Sequence, residues 1–141
     1  DDELPQFIEK AVHQAEKDCL AVGPAARKVT RWFFLGGGPG LGIASYGAAK
    51  FHEAGGLPAW SGELENFMHG MNFMLDPGDR VCLVVHDLQS WKYAYRVQIS
   101  LKAIGLQPWF ILPGGEILTD PGSQSSIANS ALVTCATPLQ L

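Results

Sequence analysis

Three residues between positions 46 and 53 have the types and spacing that chemistry needs. Tyr46, Lys50 and Glu53 stand four and three residues apart, which places them on one face of a helix. His69 follows sixteen residues after Glu53. A carboxylate near an apolar wall can be tuned toward neutral pH and imidazole already titrates there, so these types suit proton transfer. The same residues also fit an ordinary surface: a Lys–Glu pair at i,i+3 is common and weak, and a lone helical His usually faces solvent. Spacing alone leaves both readings open.

The element that carries the triplet is the centre of the chain, RWFFLGGGPGLGIASYGAAKFHE from Arg31 to Glu53. Trp32–Leu35 is an apolar, aromatic run too short for a helix and reads as a buried strand. Gly36-Gly37-Gly38-Pro39-Gly40 breaks it, and a helix follows up to Gly55-Gly56. A strand, a glycine turn and a helix together aim bare backbone N–H groups at an anion. Two phosphate motifs fail by counting. A dinucleotide fingerprint needs a third Gly where Leu41 or Ile43 stands, and a Walker loop needs Lys and Ser or Thr where Ile43 and Ala44 stand.

The remaining chain supplies an α/β frame. Pro5–Val22 reads as an amphipathic helix with Ile8, Val12, Ala15 and Cys19 on one stripe, ended by Gly23-Pro24. Leu57–Trp60 is a short strand, and Ser61 caps a helix with Glu63 and Glu65 in its first turn. Leu64, Phe67, Met68 and Met71 form its apolar side, with Glu65, His69 and Asn72 opposite. After the turn Asp76–Asp79, Val81–Val85 reads as a strand covered on both faces. A helix over Leu88–Ile104 turns Trp91, Ala94, Val97, Leu101 and Ile104 inward, and Gly105 caps it. Trp109–Leu112 is a further buried strand, and Pro113–Ser126 a long loop. Strands alternating with helices predict a parallel sheet in a three-layer αβα sandwich. Its glycine turn sits at the carboxyl end of the first strand, the edge where open α/β sheets bind ligands. Thr137-Pro138 is a helix start with only Leu139, Gln140 and Leu141 after it, so the fold reads as cut short.

Composition narrows the functional classes. Of 141 residues, 47% are apolar and only 17% charged, which predicts that some apolar surface is covered by another chain or segment. A net charge of −4 argues against nucleic acid as a partner. No apolar run approaches the length of a membrane span. Cys19, Cys82 and Cys135 are far apart without a C-x-x-C pair, so buried, reduced thiols in a cytoplasmic protein are expected.

At this point the residues resemble a family. FLGGGPGLGIASYGAAKFHE, SGELENFMHG, DPGDRVCLVV and ATPLQL are similar to the second sugar isomerase (SIS) domain of double-SIS phosphosugar enzymes, among them the isomerase half of glucosamine-6-phosphate synthase and the fructosamine-6-phosphate deglycases. The resemblance covers Val29–Leu141. It implies a linker helix over residues 1–28 and an SIS domain over 29–141. Its strongest element is Lys50, Glu53 three later, and His69-Gly70. By resemblance, Glu53 is the base that moves a proton between C1 and C2 of an open-chain sugar. Lys50 is the cation that organises it. His69 assists ring opening in the other subunit's site. Gly37, Gly38, Gly40 and Tyr46 are implied as substrate-binding.

The chain departs from the family pattern at His69-Gly70-Met71, where His-Gly-Pro is usual, and at Asn66, where Glu is common. The Ser/Thr-rich phosphate loop S-x-S-x-x-T is absent, and His86-Asp87-Leu88-Gln89-Ser90 stands after Val81–Val85. The resemblance therefore implies one part of an enzyme that isomerises, aminates or deglycates an amino-sugar or fructosamine 6-phosphate, with no cofactor and no metal. Its partners would be the sugar phosphate, a first SIS half and a second subunit of a homodimer; the isolated chain would be inactive. The alternative is a non-catalytic phosphosugar-binding regulatory or dimerisation domain.

Overall fold

In a computed structural model, described here for residues 3–119, five strands form one sheet in the order β2-β1-β3-β4-β5. β1 (Arg31–Gly36) pairs in parallel with β2 (Ala59–Glu63) and with β3 (Asp79–Val84), and β3 pairs in parallel with β4 (Trp109–Ile111). Only the two-residue β5 (Ile117–Leu118) runs antiparallel, on the edge. The expected parallel αβα architecture is the architecture observed. Because the chain leaves β1 for β2 on one side and enters β3 on the other, the strand order reverses between β1 and β3.

Two aromatic layers hold the helices to this sheet. On one face Trp32 meets Phe51 of helix α2 (Pro39–Gly55) with ring centroids 4.8 Å apart, and Trp109 at 5.6 Å. On the other, Phe33 stacks on Trp60 and tilts against Phe67, while Trp91 of helix α4 (Leu88–Ala103) packs on Phe110. Each β1 side chain from Trp32 to Leu35 is buried, as the unbroken apolar run predicts. At the amino edge the turn before β3 is locked by charge. Arg31 reaches both Asp79 oxygens (Nε–Oδ1 2.8 Å, Nη2–Oδ2 2.6 Å) and also Asp76 at 2.9 Å.

Several boundaries differ from the sequence reading, each for a local reason. Helix α1 (Glu3–Ala26) runs through Gly23-Pro24 rather than stopping there. Pro24 removes one hydrogen bond, but Val22 and Ala26 pack beneath the Trp32 cluster, and packing outweighs the breaker. β2 starts at Ala59 and includes Ser61, which is therefore no helix cap. Glu63 takes that role, accepting the Asn66 N–H at 2.8 Å. The helix after it, α3, is only Leu64–Phe67, followed by a 3₁₀ turn (Met71–Met74). Glu65, His69 and Asn72 thus share no helical face.

Further along, Ile104 is exposed rather than inward, because α4 ends at Ala103 and Ile104 is its C-cap. Part of the expected loop after Leu112 closes as a hairpin: the Leu112 N–H donates to Glu116 O, and the Ile117 N–H to the Asp18 carboxylate of α1. Cys82 is buried as expected, but Cys19 is exposed. The expectations for Cys135, Thr137-Pro138 and the loop beyond Thr119 lie outside the described residues.

Candidate functional site

The glycine turn and the reversal of strand order meet at the carboxyl edge of the sheet. Gly36 ends β1 in close backbone contact: a Cβ there would lie 2.3 Å from Gly40 O. Gly38 has φ 51°, a left-handed conformation open to glycine at little cost. This tight turn throws Pro39 into the first turn of α2, where proline's missing N–H is harmless. Gly37 and Gly38 then line a cleft of about 280 Å³ whose other walls are Glu63, Leu64 and Glu65 after β2 and His86, Asp87, Gln89, Ser90 and Tyr93 after β3. Topology places a crevice here, as open α/β sheets do.

The charge of that cleft is not what an anion needs. Glu63, Glu65 and Asp87 line it, and no lysine or arginine does. Two of the three carboxylates are engaged in local structure: Glu63 caps α3, and Asp87 caps α4 in a reciprocal pair with Ser90. The Ser90 backbone N–H, then its hydroxyl, hold Asp87 below the ordinary carboxylate range. The Nδ1 atom of His86 is buried without a partner, against Gly40.

The triplet on α2 lies elsewhere. Twelve residues separate Gly38 from Lys50, about 18 Å of helical rise, toward the amino edge. Lys50 Nζ sits 2.5 Å from Glu53 Oε2 and 5.0 Å from the centre of the Tyr46 ring. Side-chain exposure is 48% for Lys50 and 61% for Glu53. The Glu53 hydrogen bond, first of all, raises the Lys50 pKa above its ordinary value. Lys50 is therefore an ammonium at neutral pH, suited to steering charge and not to attacking a carbonyl as an amine.

The residues singled out from sequence thus fall into three places. Gly37, Gly38 and the buried Gly40 form the turn; Tyr46, Lys50 and Glu53 form an exposed patch on α2; His69 is exposed in the turn after α3. Among the described residues, the His69 side chain makes no hydrogen bond or ion pair. Glu63, Glu65, Asp87 and Tyr93 were missed as cleft residues. Asp87-x-x-Ser90 directly after an apolar strand was the available signal, since it is a capping sequence at a strand's carboxyl end.

The buried thiol adds no nucleophile: burial, only partly offset by Arg80, pushes Cys82 up to about 12. Among the described residues no group of three or more His, Cys, Asp or Glu side chains could hold a metal ion, and no helix is long and apolar enough to cross a membrane.

This arrangement of strands, turn and helices is the fold of the SIS domain. Among solved structures it is similar to the C-terminal domain of glucosamine-fructose-6-phosphate aminotransferase from Francisella tularensis, with a TM-score of 0.65 and 22% identity over 79% of this chain. The chain spans 32% of that protein's length. It is also similar to a Bacteroides fragilis protein proposed to be a phosphosugar isomerase of capsule formation (TM-score 0.55, 17% identity, 94% of this chain and 68% of that one). A third likeness is to c3406 of Escherichia coli CFT073, solved in complex with A5P (TM-score 0.54, 18% identity, 94% of this chain and 83% of that one). No protein-family profile and no curated protein matches the sequence.

Proposed function

We propose that this chain is a phosphosugar-binding SIS domain contributing one part of a composite site, in an enzyme that moves a proton between C1 and C2 of an amino-sugar or fructosamine 6-phosphate. The observation that carries this reading is the Tyr46–Lys50–Glu53 patch, held rigidly on α2 and open to solvent. Glu53 removes the proton from the carbon beside the sugar carbonyl, leaving an enediol or its amino counterpart, and returns it to the neighbouring carbon. The Lys50 ammonium offsets the negative charge that develops on the sugar oxygen. His69 serves ring opening in the site of a second subunit.

The patch is incomplete alone, and its surroundings fit a partner surface. Ile43 and Tyr46 on α2 are more than half exposed. Apolar side chains facing water beside a charged pair suit an interface with a first SIS half and a homodimer mate. The sugar phosphate is then gripped from that other half, in agreement with the acidic cleft of this one.

One observation favours a second reading. A crevice lined by no lysine or arginine favours the non-catalytic reading in its dimerisation form, since a phosphosugar-binding regulator would itself need a grip on the phosphate. Proton exchange at the substrate's C2 in deuterated water, measured on the intact parent protein, separates the two. General-base catalysis is worth about 10²- to 10⁴-fold. Glu53→Gln should therefore slow exchange by that order while substrate affinity stays similar. Unchanged exchange in Glu53→Gln would remove the catalytic assignment and leave the second reading.

A further inference from the structure

A further charged group at the amino edge of the sheet takes no part in the sugar chemistry proposed for α2. Arg80, the second residue of β3, lies over the Trp109 ring with its guanidinium carbon 4.8 Å from the ring centre, and donates to Gln107 O. A guanidinium has five N–H donors. No other protein acceptor meets Arg80 among the described residues, and its Nε is buried without a partner. Among the described residues no carboxylate pairs with it, whereas Arg31 on the neighbouring strand holds two. The contrast shows in their acidities: burial lowers Arg80, while the hydrogen bond to Asp79 raises Arg31 despite its own desolvation. A half-buried cation with no counter-ion is expensive. Methionine or leucine would cover Trp109 more cheaply.

Beside Arg80 is a pocket of about 540 Å³ between α1 and the β4–β5 hairpin. Val22 and Trp109 give it apolar walls, and among the described residues that line it Asp18 is the one carboxylate. Asp18 accepts from Ile117 N–H and Gln14 Nε2, one bond on each oxygen. With one cation that no carboxylate among the described residues neutralises and one committed anion, the pocket suits a single negative charge on an apolar body better than a dianion. We propose that it binds a small monocarboxylate, the carboxylate taken by Arg80 and the apolar part lodged against Val22 and Trp109. The site is at the amino edge and does not depend on the sugar chemistry proposed for α2.

NMR titration of the full chain, reading the Arg80 Nε–H and Trp109 indole N–H signals, tests this with benzoate, acetate and inorganic phosphate as probes. Saturable shifts with benzoate, weaker ones with acetate and the weakest with phosphate are expected. Arg80→Met, which keeps the cover on Trp109, should abolish saturation at the Trp109 indole. Arg80→Lys should weaken binding roughly tenfold or more, since a point charge replaces the planar fork. Asp18→Asn should tighten binding by removing the like charge. If Arg80→Met does not fold, the Lys and Asn variants carry the test. Benzoate shifts that fail to saturate, or that are unchanged by these substitutions, would overturn the assignment, and stronger binding of phosphate than of benzoate would overturn the ligand class.

Discussion

The two edges of the sheet are built on opposite plans. The carboxyl edge has the shape of a binding site: a glycine turn, a reversal of strand order and a helix N-terminus around one cleft. Its charges, however, are carboxylates, two of them acting as helix caps. The amino edge has no such crevice by topology, yet cations gather there: Arg31 clamped to Asp79 and Asp76, Arg80 beside its pocket, and Lys50 near the end of α2. Topology therefore fixes where a crevice lies, while loop residues decide whether it suits an anion. In this chain the crevice and the Lys50–Glu53 pair are separate.

Substitutions at the two edges should separate shape from charge. The largest effect is expected at Gly36→Ala, whose new Cβ would meet the Gly40 backbone at 2.3 Å and 2.4 Å. Neither partner is a flexible side chain, so the loss should be about 3 kcal/mol or more in urea unfolding. A Gly36→Ala chain of unchanged stability would mean that the turn is not the rigid hinge between β1 and α2. Gly37→Ala, with only Glu63 Oε1 at 3.6 Å, should be tolerated and serves as the control.

Next in size is Asp79→Asn at the amino edge, on the order of 2–3 kcal/mol, because the buried carboxylate accepts charge-assisted bonds. Burial alone would raise the Asp79 pKa. The Arg31 hydrogen bond, the Asp76 N–H, the Arg31 charge and the Thr30 hydroxyl outweigh it and hold the pKa below its ordinary value of 3.8. A depressed carboxylate stabilises fully above its unfolded pKa and less as pH falls through the folded one. Wild-type stability should therefore drop below about pH 4, and this part of the drop should vanish in Asp79→Asn. Identical acid profiles for the two proteins would move the stabilisation elsewhere.

The smallest effect belongs to the cleft. Asp87→Ala removes the α4 cap and should cost about 1 kcal/mol, seen as a modest shift in thermal midpoint. A loss several times larger would show that Asp87 holds the cleft together as well as capping the helix.

How much of this was legible in the sequence follows from the kind of force involved. The strands Trp32–Leu35 and Val81–Val85 were readable because burial on both faces writes an unbroken apolar run. The position of the glycine turn at the carboxyl edge followed from the strand–turn–helix order. Harder were features decided by partners distant in sequence. Gly23-Pro24 reads as a stop, yet packing of Val22 and Ala26 under Trp32 carries α1 through it. Ser61 reads as a cap, yet pairing with Phe34 draws it into β2. The acidic cleft was hidden for the same reason, since Glu63 and Asp87 are far apart in the chain and each reads locally as a helix-start residue. The Lys50–Glu53 contact was legible, being local; its distance from the cleft was not.

The most direct test of this separation is a residue-resolved NMR titration of the chain by itself with fructose 6-phosphate. No saturable shifts are expected at Gly37, Gly38 or His86–Ser90, because affinity for a sugar phosphate needs several convergent donors and this cleft presents acids. Saturable binding at those residues in the micromolar range would contradict it, and would make the carboxyl-edge cleft a complete phosphosugar site in its own right.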